Sequence, residues 1–165
     1  MIRVGVLTVS DRSARGERPD QSGPALVCAV GEQLPGAQVV ETGLVPDEAE
    51  EVIAILVRWS DELRLDLILT TGGTGFAPRD ITPEATRAVI ERQAPGLAEM
   101  MRAASYQVTP HAMLSRAVAG MRGRTLIINL PGSPKAALEN LVILRPVLPH
   151  ALELLRQAPD ADQHH

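Results

Sequence analysis

The chain has 165 residues, 45% apolar and 22% charged, the make-up of a folded protein rather than a disordered one. Sixteen basic against 20 acidic residues leave a net charge of −4, and only Trp59, Phe76 and Tyr106 are aromatic; neither bulk attraction to nucleic acid nor a base-stacking platform is expected. The single cysteine excludes an intrachain disulfide and a Cys-rich zinc site, fits a reducing cytoplasm, and is expected as a small buried apolar residue, while the four histidines show no metal-binding spacing.

Ile2 to Val9 is an apolar, β-branched run of the kind that forms a buried parallel strand. No small-residue cleavage site follows it, and no later stretch reaches the ~18 apolar residues of a membrane span, so neither secretion nor membrane insertion is expected. The polar stretch from Ser10 to Gln21 reads as a loop. Ser22 as N-cap, with Pro24 near the first turn, predicts a helix to about Gln33 that buries Leu26, Val27 and Val30. Val39-Val40 marks a second strand. From Pro46 a helix follows in which Val52, Ile55, Leu56 and Trp59 share one face.

Leu65 to Thr70 predicts a third strand entering the glycine loop Thr71 to Gly75. Thr82-Pro83-Glu84 and Pro95 open two further helices, the second carrying Met100 and Met101. Ala117 to Met121 and Thr125 to Asn129, joined by Arg122-Gly123-Arg124, read as an antiparallel strand pair. Pro134 opens a last helix with Ala137, Leu141, Leu144 and Leu148 on one face, kinked or interrupted at Pro146. The expected fold is one α/β domain over residues 1–158, a three-layer sandwich with a mostly parallel central sheet and one antiparallel pair, with a frayed tail at 159–165.

Such folds bind ligands beyond the carboxyl ends of their strands. Thr71-Gly72-Gly73-Thr74-Gly75 lies between a strand and the helix start at Thr82, where small residues and unpaired N–H groups suit a phosphate. It has neither the Lys-Ser/Thr of a P-loop nor the dinucleotide glycine spacing, and a plain tight turn is the alternative reading. Asp47 and Asp80 each follow a strand and are candidate magnesium ligands, since magnesium needs only one or two carboxylates beside phosphate oxygens. On local pattern alone, Asp47…Glu50 fits a helix cap better, and Asp80 fits pairing with Arg79 or bracing of its own loop.

Pro131-Gly132-Ser133-Pro134-Lys135 is a second strand-to-helix loop that offers N–H donors and Lys135, or serves only as a connection. Ser115 and His111 lack the Gly-x-Ser-x-Gly elbow of a serine hydrolase.

Taken together, Thr70 to Gly75, Arg79 to Thr86, Leu114-Ser115-Arg116 and Asn129 to Lys135 resemble the molybdopterin adenylyltransferases of the MogA/MoaB type. The similarity extends to Val4 through Arg12 and to Val45-Pro46-Asp47-Glu48. The resemblance implies transfer of AMP from ATP to the terminal phosphate of molybdopterin, with release of pyrophosphate, in molybdenum cofactor biosynthesis. It implies magnesium as cofactor, a homotrimer, and as partners the proteins that make molybdopterin and insert molybdenum. By position it makes Asp47 and Asp80 the two essential carboxylates, Thr71, Gly72, Gly73, Thr74 and Gly75 the nucleotide-side loop, and Ser115 a pterin contact. Pro131, Gly132 and Lys135 join the substrate site, with Arg79 and Lys135 as phosphate partners. A non-catalytic pterin-binding or scaffold protein of the same fold is the alternative.

Overall fold

The computed structural model describes residues 1–157; the expected domain limit at 158 and the tail from Pro159 lie outside them. Six strands form one sheet in the order β2-β1-β3-β6-β5-β4. They are β1 (Ile2–Val9), β2 (Ala37–Val45), β3 (Leu67–Thr71), β4 (Arg92–Gln93), β5 (Ala119–Arg122) and β6 (Thr125–Leu130). The first four neighbours in that order are parallel, while β5 runs antiparallel to both β6 and β4. The helices are α1 (Asp11–Ala14), α2 (Ser22–Gln33), α3 (Ala49–Asp61), α4 (Thr82–Val89), α5 (Pro95–Tyr106), α6 (Pro134–Leu144) and α7 (Leu148–Arg156), with a 3-10 turn at Pro110–Leu114.

The side-chain period of two in the strands sorts the core into two layers. Val4, Val6, Leu67, Leu69, Leu126 and Ile128 face one way and pack with Leu26 of α2, Met101 of α5, Leu141 of α6 and Leu152 of α7. Leu7, Val9, Ile68 and Ile127 face the other way, toward Val52, Leu56 and Trp59 of α3 and Ala85 and Val89 of α4. The Trp59 ring packs closely over Gly5 of β1, which leaves no room for a side chain; a Cβ there would stand 2.6 Å from the ring.

The mostly parallel sheet with one antiparallel pair, flanked by helices, is the predicted architecture, and the last helix is interrupted around Pro146 as expected. Four local readings change. Val39-Val40 is the centre of a nine-residue strand, hard to see in the sequence because β2 is an edge strand in which Gln38, Glu41, Thr42 and Gly43 interrupt the apolar run. The loop from Ser10 contains the short helix α1, capped by Ser10, whose Oγ accepts from the Ser13 N–H. Gln21, not Ser22, is the N-cap residue of α2. Cys28 lies on the outer face of α2 and is exposed, not buried.

Candidate active site

Register brings the ends of four strands level: Val9 of β1 pairs with Val45 of β2, Thr8 with Thr71 of β3, and Thr71 with Leu130 of β6. Neighbouring strands leave β1 on opposite sides, toward β2 and toward β3, which is the switch point where such sheets hold ligands. A cleft of about 660 Å³ opens there.

Its floor is main chain. Gly72 and Gly73 have φ of 100° and 67°, a region that a side chain rarely tolerates. A Cβ on Gly72 would strike the Val9 carbonyl, and one on Gly73 would strike Thr82 Oγ1 and come within 2.9 Å of Asp47 Oδ1. The loop is fastened on both sides. Thr71 Oγ1 donates to the Pro131 carbonyl at 2.6 Å, and the Gly72 N–H to the Leu130 carbonyl at 3.2 Å. Thr82 Oγ1 donates to the Gly72 carbonyl at 2.9 Å, and the Thr82 N–H to the Gly73 carbonyl at 3.1 Å. The first N–H of α4 is therefore engaged by the loop and is not one of the unpaired donors the sequence suggested. Gly132 comes so close that a Cβ on it would be 3.3 Å from Gly72 Cα, and Ser22 Oγ, freed from the capping role, donates to the Gly132 carbonyl at 2.9 Å.

Asp47 and Asp80 meet at this loop from opposite directions. Asp47 does not cap α3, whose N-cap is Glu48; its Oδ2 accepts from the Asp11 N–H at 2.8 Å, and Asp11 Oδ1 accepts in return from the Asp47 N–H at 3.0 Å. This reciprocal pair joins the ends of β1 and β2. Asp80 accepts at Oδ2 from the Ala77 N–H at 3.0 Å, and the same oxygen would lie 2.9 Å from a Cβ on Gly75. Both carboxylates thus border the glycine loop and line the same cleft. Burial raises the Asp47 carboxyl above the ordinary range, and the negative charges of Asp11 and Asp80 add to the shift while the Asp11 N–H opposes it.

Arg79 does not pair with Asp80. Its guanidinium grips Asp11 at 2.6 and 3.1 Å, Glu48 at 2.7 Å and the Asp47 carbonyl at 3.1 Å. Its hydrogen bonds hold the Asp11 carboxyl below the usual range. The expected phosphate partner is therefore already neutralised. Arg12 and Arg18 also line the cleft, and neither forms an ion pair among the described residues. Lys135 stands outside the cleft lining, 81% exposed, with its Nζ 3.9 Å from Glu139.

The glycine loop also forms part of a second hollow, of about 260 Å³. Thr71, Gly72 and Gly73 face the first cleft, whereas Thr74, Gly75, Ser115 and Pro131 line the second. Ser115 and the two aspartates are thus on either side of one loop. Among the described residues no three His, Cys, Asp or Glu side chains form a ready-made metal cage.

Comparison with known proteins gives this arrangement a lineage. Residues 5–150 match the family described as "probable molybdopterin binding domain". The chain belongs to that family. The crystal structure of MoaB, a molybdopterin biosynthesis enzyme of Thermus thermophilus, superposes on this chain with a TM-score of 0.89 at 55% identity, covering 94% of this chain and 96% of the other. A protein named molybdopterin adenylyltransferase in Helicobacter pylori is 43% identical over 93% of this chain and 88% of its own length. Gephyrin of Dictyostelium discoideum is 46% identical over 94% of this chain, which spans 23% of gephyrin's length.

Three further side chains at the cleft and its loop carry little signal in the sequence. Asp11 occupies the first position after helix cap Ser10 at the end of β1, and that position is the available signal. Asp20 bridges Thr8 Oγ1 at 2.8 Å and the Gly23 N–H at 3.0 Å, tying the start of α2 to the end of β1; its partners are revealed only by folding. The third is Arg116, which follows Ser115 in a family-like motif that assigns it no task.

Proposed function

We propose that the chain transfers AMP from ATP to the terminal phosphate of molybdopterin and releases pyrophosphate. The observation that carries this reading is the convergence of Asp47 and Asp80, 33 positions apart in the sequence, on one glycine loop at the switch point of the sheet. The similarity to proteins named molybdopterin adenylyltransferase supports it.

The donor set fits magnesium. Two carboxylates crowd one wall, Asp47 is raised by burial and by its acidic neighbours, and a cation relieves that repulsion. Asp47 and Asp80 would hold it, with phosphate oxygens and water completing the shell. When bound, magnesium supplies charge neutralisation at the α-phosphate and at the pyrophosphate.

The remaining work belongs to the chain. Backbone groups of Gly72, Gly73 and Gly132 allow a polyphosphate to approach without side-chain obstruction. Asp11 and Arg79 fix Asp47 through the reciprocal hydrogen bonds, so its carboxylate needs no reorganisation on binding. The second hollow, with Ser115, Thr74 and Pro131, would receive the pterin, and Lys135 at the start of α6 is a candidate for its phosphate. No protein base is required. A phosphate monoester has a second pKa of about 6, so the attacking oxygen is already ionised at neutral pH. The chemistry then reduces to holding two polyanions in line.

The test is direct. Protein mixed with ATP, magnesium and molybdopterin should release pyrophosphate, and Asp80→Asn should cut release to about a thousandth, a slow but measurable rate, while binding remains detectable. Binding without release in the wild type would favour the non-catalytic pterin-binding alternative.

Self-association belongs to the same proposal. Met101 is core, but Met100, Tyr106, Val108, Met113 and Leu114 are all between 45% and 66% exposed and supply apolar surface for a homotrimer. Sedimentation of a lone 17.7 kDa species at micromolar concentration would exclude it. A cytoplasmic setting fits the single exposed thiol of Cys28, and no helix among the described residues is long and apolar enough to cross a membrane.

A further inference from the structure

The loop that carries Asp80 is held by a residue from a distant part of the chain. Arg116 donates through Nε to the Gly75 carbonyl at 2.7 Å and through Nη2 to the Asp80 carbonyl at 2.7 Å. Its Nη1 donates to both oxygens of Glu84, at 3.1 and 2.8 Å, and its backbone N–H donates to the Thr74 carbonyl at 2.8 Å. One residue therefore fastens the start of the Thr74–Asp80 turn, its end, and the first turn of α4. Only a planar guanidinium, with donors fixed in a fork, spans two carbonyls and a carboxylate at once; a lysine ammonium offers a point charge and cannot bridge them.

The position has a second meaning. Ser115, next to Arg116 in the chain, lines the second hollow together with Thr74 and Gly75, while Asp80 lines the first. The fastening thus lies on the boundary between the two pockets. Its strength is also out of proportion to a surface contact. The Arg116 side chain is 33% exposed, yet its hydrogen bonds run to two main-chain carbonyls of the site loop in addition to an ion pair. A turn of seven residues with only Asp80 N–H to Ala77 O and Ala77 N–H to Asp80 Oδ2 within it has little internal support.

We propose that Arg116 is a positioning residue for the transfer reaction, holding the Thr74–Asp80 turn so that the Asp80 carboxylate faces the nucleotide cleft in register with the pterin hollow. This rests on the adenylyl-transfer reading above. Arg116 touches no reacting atom; it acts through Asp80, and its loss misplaces a group that matters in the transition state more than in ground-state binding.

The experiment compares Arg116→Lys, Arg116→Ala and Glu84→Gln with the wild type in the pyrophosphate-release assay. Arg116→Lys keeps the charge and a link to Glu84 but loses the two-carbonyl bridge. It should fold, with kcat reduced about 30-fold and KM for ATP and for molybdopterin within about threefold of wild type. Glu84→Gln weakens the ion pair and leaves the bridge, so its kcat should stay within about threefold. In an Asp80→Asn background, Arg116→Lys should lower residual kcat by less than about threefold, because both changes disable the same group. Amide exchange at Ala77, whose N–H is held by Asp80, should accelerate about tenfold in Arg116→Lys without any substrate present.

Near-wild-type kcat in a folded Arg116→Lys would overturn the proposal. So would an unabated loss of about 30-fold on top of Asp80→Asn, or a loss confined to KM. If Arg116→Ala does not fold, Arg116→Lys and the exchange measurement decide. If the wild type itself releases no pyrophosphate, the functional reading fails instead, and unchanged exchange at Ala77 would then count separately against the positioning role.

Discussion

β3 separates two acidic clusters that are built for opposite ends. Just before the strand, Asp66 has a side chain only 2% exposed and is fully partnered: the Arg3 N–H donates to Oδ2 at 2.7 Å, Arg156 reaches both oxygens at 3.0 and 2.8 Å, and Arg124 lies at 3.3 Å. Burial pushes this carboxyl up, but Arg156, the Arg3 N–H and Arg124 together bring it below the ordinary range. Just beyond the strand, Asp47 and Asp80 each accept from a backbone N–H and have no cationic partner among the described residues, and Asp47 is raised. The Asp66 cluster ties the end of α7 to the sheet and leaves nothing for a ligand. The Asp47–Asp80 cluster leaves oxygen lone pairs unspoken for, at some expense in stability. The two clusters thus differ in the number of their cationic partners, not in depth of burial alone.

The largest test of that contrast is activity. Asp80→Asn should lower the rate of pyrophosphate release by about three orders of magnitude while the thermal midpoint moves by no more than about 2 °C, measured by calorimetry beside the kinetic assay. A midpoint loss comparable to that at Asp66 would erase the distinction. Asp66→Asn should do the reverse. It leaves two arginines without their carboxylate, which costs about 3 kcal/mol, near the low end for a broken buried pair because both guanidinium groups are over a third exposed. For a chain of this length that is a fall of about 10 °C, with kcat retained at temperatures where the variant is folded.

Glycine in the site loop gives a smaller, mixed effect. Gly73→Ala must fit a Cβ against Thr82 Oγ1 and Asp47 at a φ of 67°, so both stability, by about 1–2 kcal/mol, and nucleotide binding should suffer. Unchanged affinity for ATP in that variant would detach the loop from the nucleotide.

The smallest effects lie in pH dependence and have opposite signs at the two ends of β3. An unfolded aspartate titrates near about pH 4. Asp66 lies lower in the folded state, so its stabilisation is complete above about pH 4 and disappears as pH falls through its folded value. The penalty of Asp66→Asn should accordingly shrink in acid. Asp47 lies higher in the folded state, so the wild type loses stability as pH rises through that folded value. Asp47→Asn should then melt about 1–2 °C higher than wild type at pH 7, with the gain vanishing below about pH 4, while activity is lost.

The strands buried on both faces are readable because nothing else makes runs such as Leu67 to Thr71 or Thr125 to Leu130. β4 is not, since Arg92 and Gln93 are both exposed and carry no apolar pattern; their strand geometry is imposed by β5. At the site, glycines and acids can be picked out as types, but their partners cannot. Asp47 has the look of a cap because Glu50 is near in sequence, whereas the N–H that it accepts belongs to Asp11, 36 residues away. Arg79 has the look of a partner for its neighbour Asp80 and instead reaches Asp11 across 68 residues. Cys28 departs from expectation for a related reason, as the helix face a residue presents depends on which neighbours the sheet supplies.

The floor of the cleft, where Gly72, Gly73 and Gly132 lie against one another with carbonyls and N–H groups as their chemistry, contains no side chain to exchange. Substitution at Arg12, Arg18 or Ser133 therefore changes the walls and leaves the main-chain floor intact, whereas a side chain added at Gly72 or Gly73 collides with its surroundings. If the cleft holds the triphosphate as proposed, its selectivity can be retuned along that rim while the main-chain bed is kept.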